Sequence, residues 1–227
     1  EKLLPWTKGV ASKTAVKNQL HSWKGIFKSL YKVFFFPVSL MMGIAAFSFS
    51  LGKGLIDTVL PVFTVQALGW ADTQYSQIFA TANLISGVGG MIIGGFLIDF
   101  FGKVKMISIY LSLLILLVAA MSFLKSFWQN ELVVMGFIIT FYVLITFTTI
   151  AIFASAMQLC WKRISVTQFT LYMAISNLGL AAGAALMGQL KGFLDWQFVI
   201  LSYVLFAGVM LVLIKFINFE KHQMRVD

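Results

Sequence analysis

Apolar residues in this chain fall into long, nearly unbroken runs instead of alternating or helical stripes. Six runs are long enough to cross about 30 Å of hydrocarbon, which takes a helix of roughly 20 residues. They cover approximately residues 33–68, 75–101, 106–124, 132–160, 166–190 and 196–219. The polar breaks between them are short: WADTQ, GKVK, KSFWQNE, WKRIS and KGFLD. The pattern predicts an all-α membrane protein with six transmembrane helices. The first run is overlong and holds Pro37 and Pro61, so it is expected to be tilted, kinked or preceded by an interfacial turn.

Composition agrees with that picture and narrows it. The chain is 60% hydrophobic and 11% charged, with a mean hydropathy of +0.92, whereas soluble domains carry about a quarter charged residues. One cysteine, Cys160, excludes an intrachain disulfide and any multi-cysteine metal cluster. A net charge of +9 raises nucleic acid as a partner, but the placement of the lysines explains it otherwise. With the N-terminus in the cytoplasm, seven lysines from Lys2 to Lys32 lie inside, joined by Lys103, Lys105, Lys162, Arg163, Lys215, Lys221 and Arg225. Only Lys125 and Lys191 fall outside, and Lys53 lies within a span. Fourteen against two is a strong positive-inside bias. It implies two cytoplasmic termini in a cell (inner) membrane and no nucleic-acid role.

Residues 1–32 have neither the apolar core nor the cleavage site of a signal peptide. Trp23, Phe27, Leu30 and Tyr31 recur at helical spacing, with Lys24, Lys28 and Lys32 on another face. The expectation is an amphipathic helix lying on the inner leaflet and attracted by anionic lipid. Residues 33–219 form the bundle and 220–227 a cytoplasmic tail. Because the chain begins at Glu1, it is expected to be a piece of a longer protein, with residues 1–32 as the linker to a preceding half.

Small residues mark where helices meet. Ala82, Ser86, Gly90 and Gly94 recur every four positions in the second run, and Gly179 and Gly183 do so in the fifth, offset by Ala184 and Gly188. Such stripes let backbones approach closely where lipid supplies no hydrophobic drive for association.

The stretch GGFLIDFFGKVK, from Gly94 to Lys105, joins the second run to the third. Its Gly95, Leu97, Asp99, Gly102 and Lys103 resemble the G-x-L-x-D-x-x-G-[RK] loop of the major facilitator superfamily. In that family the loop lies between the second and third helices of a six-helix half. Phe100 stands where a basic residue is usual, and Val104 where a second one often follows, as in the degraded copies of second halves. The resemblance implies a cytoplasmic gating loop and the C-terminal half of a twelve-helix permease. Gly102 would permit the tight turn, and Asp99 would cap or pair with neighbouring basic groups.

A second stretch, MQLCWKRISVTQFTLYMAISNLG, is similar to the passage between the tenth and eleventh helices of AmpG-type muropeptide permeases. Thr167, Gln168, Phe169 and Leu171 meet that group's T-Q-[FY]-x-L pattern after a short basic loop. The group also includes acetyl-CoA transporters. SLGKGLIDTVLPVF, around Lys53 and Asp57, is similar to its K-x-x-D element, with one residue more in the spacing. The resemblance implies proton-coupled transport by alternating access, but not a particular cargo.

Polar residues inside the runs are the candidates for function, because a charge at the bilayer centre costs about 3 kcal/mol on insertion scales. Lys53 and Asp57 are four apart and can pair with each other on one helix face, near the outer interface. In the sharper reading Asp57 titrates, or Lys53 attracts an anionic substrate that Asp57 releases on protonation. Asn83, Gln158, Gln168 and Asn177 are expected either to line the same cavity with hydrogen-bonding groups or to join helices to one another. Thr146, Thr148 and Thr149 are expected to bond their own helix backbone. Trp70, Trp128, Trp161 and Trp196 read as interfacial anchors. His21 and His222 show no metal-site pattern, and no cofactor is implied.

An enzyme is disfavoured, since G-x-S-x-G, H-E-x-x-H, a P-loop and paired intramembrane aspartates are all missing. The readings left are a transporter of a small polar solute and a non-transporting subunit, sensor or homodimerising permease or channel built from a transporter half. The expected partners are the lipid bilayer, the solute, a proton and the other six-helix half.

Overall fold

The structure is a computed structural model that describes residues 23–161 and 164–217. The sequence's expectations for residues 1–22, Lys162, Arg163 and the tail lie outside the described residues. Every described regular element is helical, and six helices are long and apolar enough to cross a membrane. The chain is an integral multi-pass membrane protein.

A short helix, α1 (Trp23–Phe34), precedes the bundle. Proline cannot follow a helical residue comfortably, and Phe36 is accordingly extended, with ψ 137°, before Pro37 starts the next helix. Helix α2 (Pro37–Leu68) runs 32 residues through Pro61 and stops at Gly69, a left-handed cap with φ 74°. Helix α3 (Asp72–Phe101) follows. A π-helical segment, Gly90–Gly94, interrupts it where glycines crowd the sequence. Gly102 alone connects α3 to α4 (Lys103–Phe123), with φ 88°. That conformation carries a steric cost for any residue with a Cβ. Helix α5 (Glu131–Leu159) begins where the Asn130 side chain accepts the Leu132 N–H at 3.1 Å. Helices α6 (Ser165–Phe193) and α7 (Trp196–Phe216) complete the bundle. These boundaries sit within a few residues of the hydrophobic runs, because hydrocarbon length dictates where each helix can stop.

Helix α2 is the most enclosed of the six and packs on both α6 and α7. Helix α4 packs on α5 and α7, and α3 packs on α5. Exchanging α2 with α5, α3 with α6 and α4 with α7 leaves this set of pairings unchanged. Successive spans joined by short turns must alternate in direction, so α2 and α5 cross in opposite senses. The six helices are therefore two three-helix repeats of inverted topology, intertwined so that each repeat completes the other's core.

Glycine sets the closest contact. A Cβ on Gly54 would overlap the Leu180 carbonyl oxygen, one on Gly183 the Leu51 carbonyl oxygen, and one on Gly179 the Phe47 carbonyl oxygen. Helices α2 and α6 thus meet backbone to backbone, through the stripe expected from Gly179 and Gly183. Ala82, Ser86, Gly90 and Gly94 are also buried, and the last two face Ile150 of α5. Large apolar side chains such as Leu84, Phe96, Leu116 and Leu205 point outward, as expected where the solvent is lipid. Trp128 departs from the expected interfacial role. It is buried, donates to the Met121 carbonyl at 2.8 Å and stacks edge-on against Phe63 at 4.8 Å. The turn between α4 and α5 folds back so that Trp128 packs against the helix ends.

Candidate functional site

The candidate site begins at the middle of α2, where Lys53 is the seventeenth of 32 residues, counting from Pro37. Its ammonium donates to Asp57 Oδ2 at 2.5 Å. This is the one ion pair among the described residues. The pair lies along the middle of the helix, about as far from Pro37 as from Leu68. Both side chains are about 30% exposed, Lys53 at 30% and Asp57 at 28%, so neither is sealed into the protein.

Asp57 has a second partner on another helix. Tyr142 of α5 donates its hydroxyl hydrogen to Asp57 Oδ1 at 3.1 Å. The Tyr142 hydroxyl lies 3.4 Å from that of Tyr75 on α3. Both tyrosines are buried, and Phe79 packs against the two rings. A chain of polar groups, Lys53–Asp57–Tyr142–Tyr75, therefore links three helices drawn from both repeats. Pro61 adds a local effect, because it has no N–H to give to the Asp57 backbone carbonyl four residues earlier.

Beside Lys53 lies a cavity of about 150 Å³ between α2, α5 and α6. Ser50, Thr149, Ser176 and Asn177 supply its polar lining, while Phe49, Phe153 and Leu180 are among its apolar walls. Thr149 spends its hydroxyl on the Ile145 carbonyl at 2.7 Å, and Thr148 does the same to Leu144 at 2.7 Å. Both bonds follow the backbone-bonding role expected of the threonine cluster.

The other sequence candidates go to different places. Asn177 shares the Lys53 cavity, whereas Asn83, Gln158 and Gln168 are not among its lining residues. Asn83 is exposed on α3 and donates to its own helix at the Phe79 carbonyl, 2.8 Å away. Gln168 is wholly buried, accepts the Trp161 N–H at 2.9 Å and contacts the Tyr172 hydroxyl at 3.4 Å. It staples the turn between α5 and α6. Gln158 accepts from Lys103 Nζ at 2.8 Å and so belongs to the α3–α4 turn. Asp99 is exposed and forms no ion pair among the described residues, while Gly95 has open space where a Cβ would stand.

Sequence reasoning missed Tyr75, Tyr142, Ser50 and Ser176. A lone tyrosine within an apolar run is the only mark the first two leave, and that mark fits an interfacial or packing role as well. No protein-family model matches this chain, and no curated protein matches it.

Proposed function

We propose that this chain is the C-terminal half of a major-facilitator-type secondary transporter, akin to AmpG-type muropeptide permeases and acetyl-CoA transporters. It moves a small polar solute across the inner membrane by alternating access, with a proton as the coupling ion and both termini cytoplasmic. One observation carries the reading: a charged pair, hydrogen-bonded across helices, sits at the middle of the central spanning helix beside a polar cavity. Intramembrane charges are costly and normally face a partner or a solute path. A self-neutralising structural pair would have no need of the cavity or of partial exposure.

Among the described residues Asp57 is the one carboxylate more than two residues from either end of a spanning helix, so coupling within this half falls to it. Protonating Asp57 removes its attraction for Lys53 while the Tyr142 hydroxyl can stay in place. Two further observations support the reading. Inverted three-helix repeats are the frame on which rocking transporters are built. Helices α3 and α6 also expose small and polar faces, Ser76–Ala80–Asn83–Gly87 and Ala174–Asn177–Ala181–Gly188, suited to another bundle. That bundle is the preceding half of the same protein; a second copy of the chain is the alternative occupant. The hydrogen bond between Lys103 and Gln158 ties the α3–α4 turn to the cytoplasmic end of α5 and serves as the gate.

The test is uptake into proteoliposomes by the complete gene product, with labelled muropeptide, acetyl-CoA and small peptides offered under an imposed proton gradient. Asp57→Asn should abolish gradient-driven uptake while the protein still folds. Undiminished proton-coupled uptake by that variant would overturn the assignment.

A further inference from the structure

We propose that the cavity beside Lys53 is a subsite for the anionic head group of the solute, with Asn177, Ser50 and Ser176 as its neutral donors. This rests on the transporter reading above and specifies the chemistry of its cargo. The argument starts from unspent hydrogen-bonding capacity. An ammonium carries three N–H donors, and Asp57 takes one from Lys53. Ser50, Ser176 and Asn177 make no side-chain hydrogen bond among the described residues, although all three face the same space as Lys53. Polar groups left unmet at membrane depth are costly, so a group that satisfies them there is favoured.

The excess is of donors. The two hydroxyls and the amide of Asn177 can each donate or accept, whereas the two remaining ammonium N–H groups can only donate, and no carboxylate lines the cavity itself. A cationic head group would meet Lys53 with repulsion, and a neutral one would leave the lysine's charge to Asp57 alone. A carboxylate or phosphate oxygen matches both charge and donor count. The apolar walls at Phe49, Phe153 and Leu180 fit the carbon skeleton next to that head group. Size sets a limit: pockets that enclose a whole drug-sized ligand run about 300–1,000 Å³, whereas this one is about 150 Å³. It takes a head group, and the rest of the solute lies beyond it.

Asp57 becomes an internal competitor. Its carboxylate holds Lys53 when the site is empty; an incoming anion takes Lys53 over while Tyr142 retains Asp57. The sign of one substitution separates this from a purely structural pair. Asp57→Asn removes the competitor and should tighten anion binding at least tenfold. A structural pair would lose integrity and bind nothing better.

The experiment measures binding of radiolabelled N-acetylphenylalanine to the complete gene product in lipid nanodiscs, with N-acetylphenylalanine amide and phenylalkyl phosphate as competitors. The carboxylate and the phosphate should displace the label and the amide should not. Lys53→Gln combined with Asp57→Asn, which leaves no uncompensated charge, should weaken binding at least tenfold. Asn177→Leu should weaken it several-fold, and Leu116→Ala, on the outward face of α4, should leave it unchanged. Displacement by the amide, or full binding by the double variant, would overturn the subsite. If the anion binds with the predicted Lys53 dependence but is never taken up into proteoliposomes, transport fails and the subsite stands. If proton-coupled uptake proceeds without dependence on Lys53, the subsite fails and transport stands.

Discussion

Tyr142 on α5 donates a 3.1 Å hydrogen bond to Asp57 on α2, joining the corresponding helices of the two inverted repeats near their middles. Tyr142→Phe keeps the ring and its edge-on contact with Phe141 but removes the donor. A hydrogen bond to a charged group contributes about 1.5–3 kcal/mol, and Asp57 would keep only Lys53. The expected outcome is a loss of about 1 kcal/mol or more in thermal unfolding in detergent, together with reduced uptake. Unchanged stability would mean that the tyrosine bond is incidental.

Tyr203 should respond in the opposite direction. Its hydroxyl is buried in α7 with no hydrogen-bond partner among the described residues, and its ring packs against the Gly52 position. An unsatisfied buried polar group costs about 1–3 kcal/mol. Tyr203→Phe is therefore expected to raise stability by about 1 kcal/mol, read in the same melts as Tyr142→Phe.

The glycine stripe makes a paired prediction. Gly183→Ala pushes a methyl group into the Leu51 carbonyl, and Gly54→Ala into that of Leu180, so α2 and α6 must separate. Overpacking usually costs about 1–3 kcal/mol and occasionally more. Backbone cannot swing aside, so a loss of about 3 kcal/mol or failure to fold is expected. Gly87→Ala and Gly188→Ala, which meet open space, should leave the isolated chain's stability unchanged. If α3 and α6 dock another bundle, the same two changes should impair assembly of the complete protein.

At the end of α5 that meets the α3–α4 turn, Gln158→Leu removes the acceptor for Lys103. The chain's single thiol, Cys160, lies two residues further on and reports on that end directly. Its alkylation by a membrane-impermeant maleimide should speed up several-fold in Gln158→Leu if the hydrogen bond holds the turn closed. An unaltered rate would show that the turn is held by other contacts.

Helix α1 carries Lys24, Lys28 and Lys32 at four-residue spacing, all exposed, beside an equally exposed row of Phe27, Tyr31 and Phe35. Val33 and Phe34 face the bundle, the latter near Tyr172 at 6.2 Å. A lysine near an anionic leaflet contributes about 1 kcal/mol. Replacing the three lysines with glutamine should strip co-purifying anionic phospholipid, counted by native mass spectrometry, while neutral lipid is retained.

What could be read in the sequence was what depends on composition over one helix length. The six spans, their short turns, the Gly102 hinge and the buried glycine faces all follow from local rules. Hydrocarbon thickness sets helix length, lysine avoids crossing, and a missing Cβ permits a turn or a close approach. Lys53 and Asp57 were also legible, because a four-residue separation on one helix puts two side chains together without help from the rest of the fold.

Long-range pairing was decided elsewhere. Gln158, Gln168, Asn83 and Asn177 look alike in an apolar run, yet they end at a hydrogen bond to the α3–α4 turn, a buried turn, an exposed face and the cavity. Tyr142 reaches Asp57 across 85 positions of sequence, a separation over which no periodicity carries information. The inverted arrangement of the two repeats is likewise a property of which faces meet. In a bilayer nearly every outward residue is apolar whatever it packs against, so hydrophobicity alone cannot tell a helix's neighbour from its lipid. Side-chain size and hydrogen bonding make that choice, and they act only once the helices are side by side.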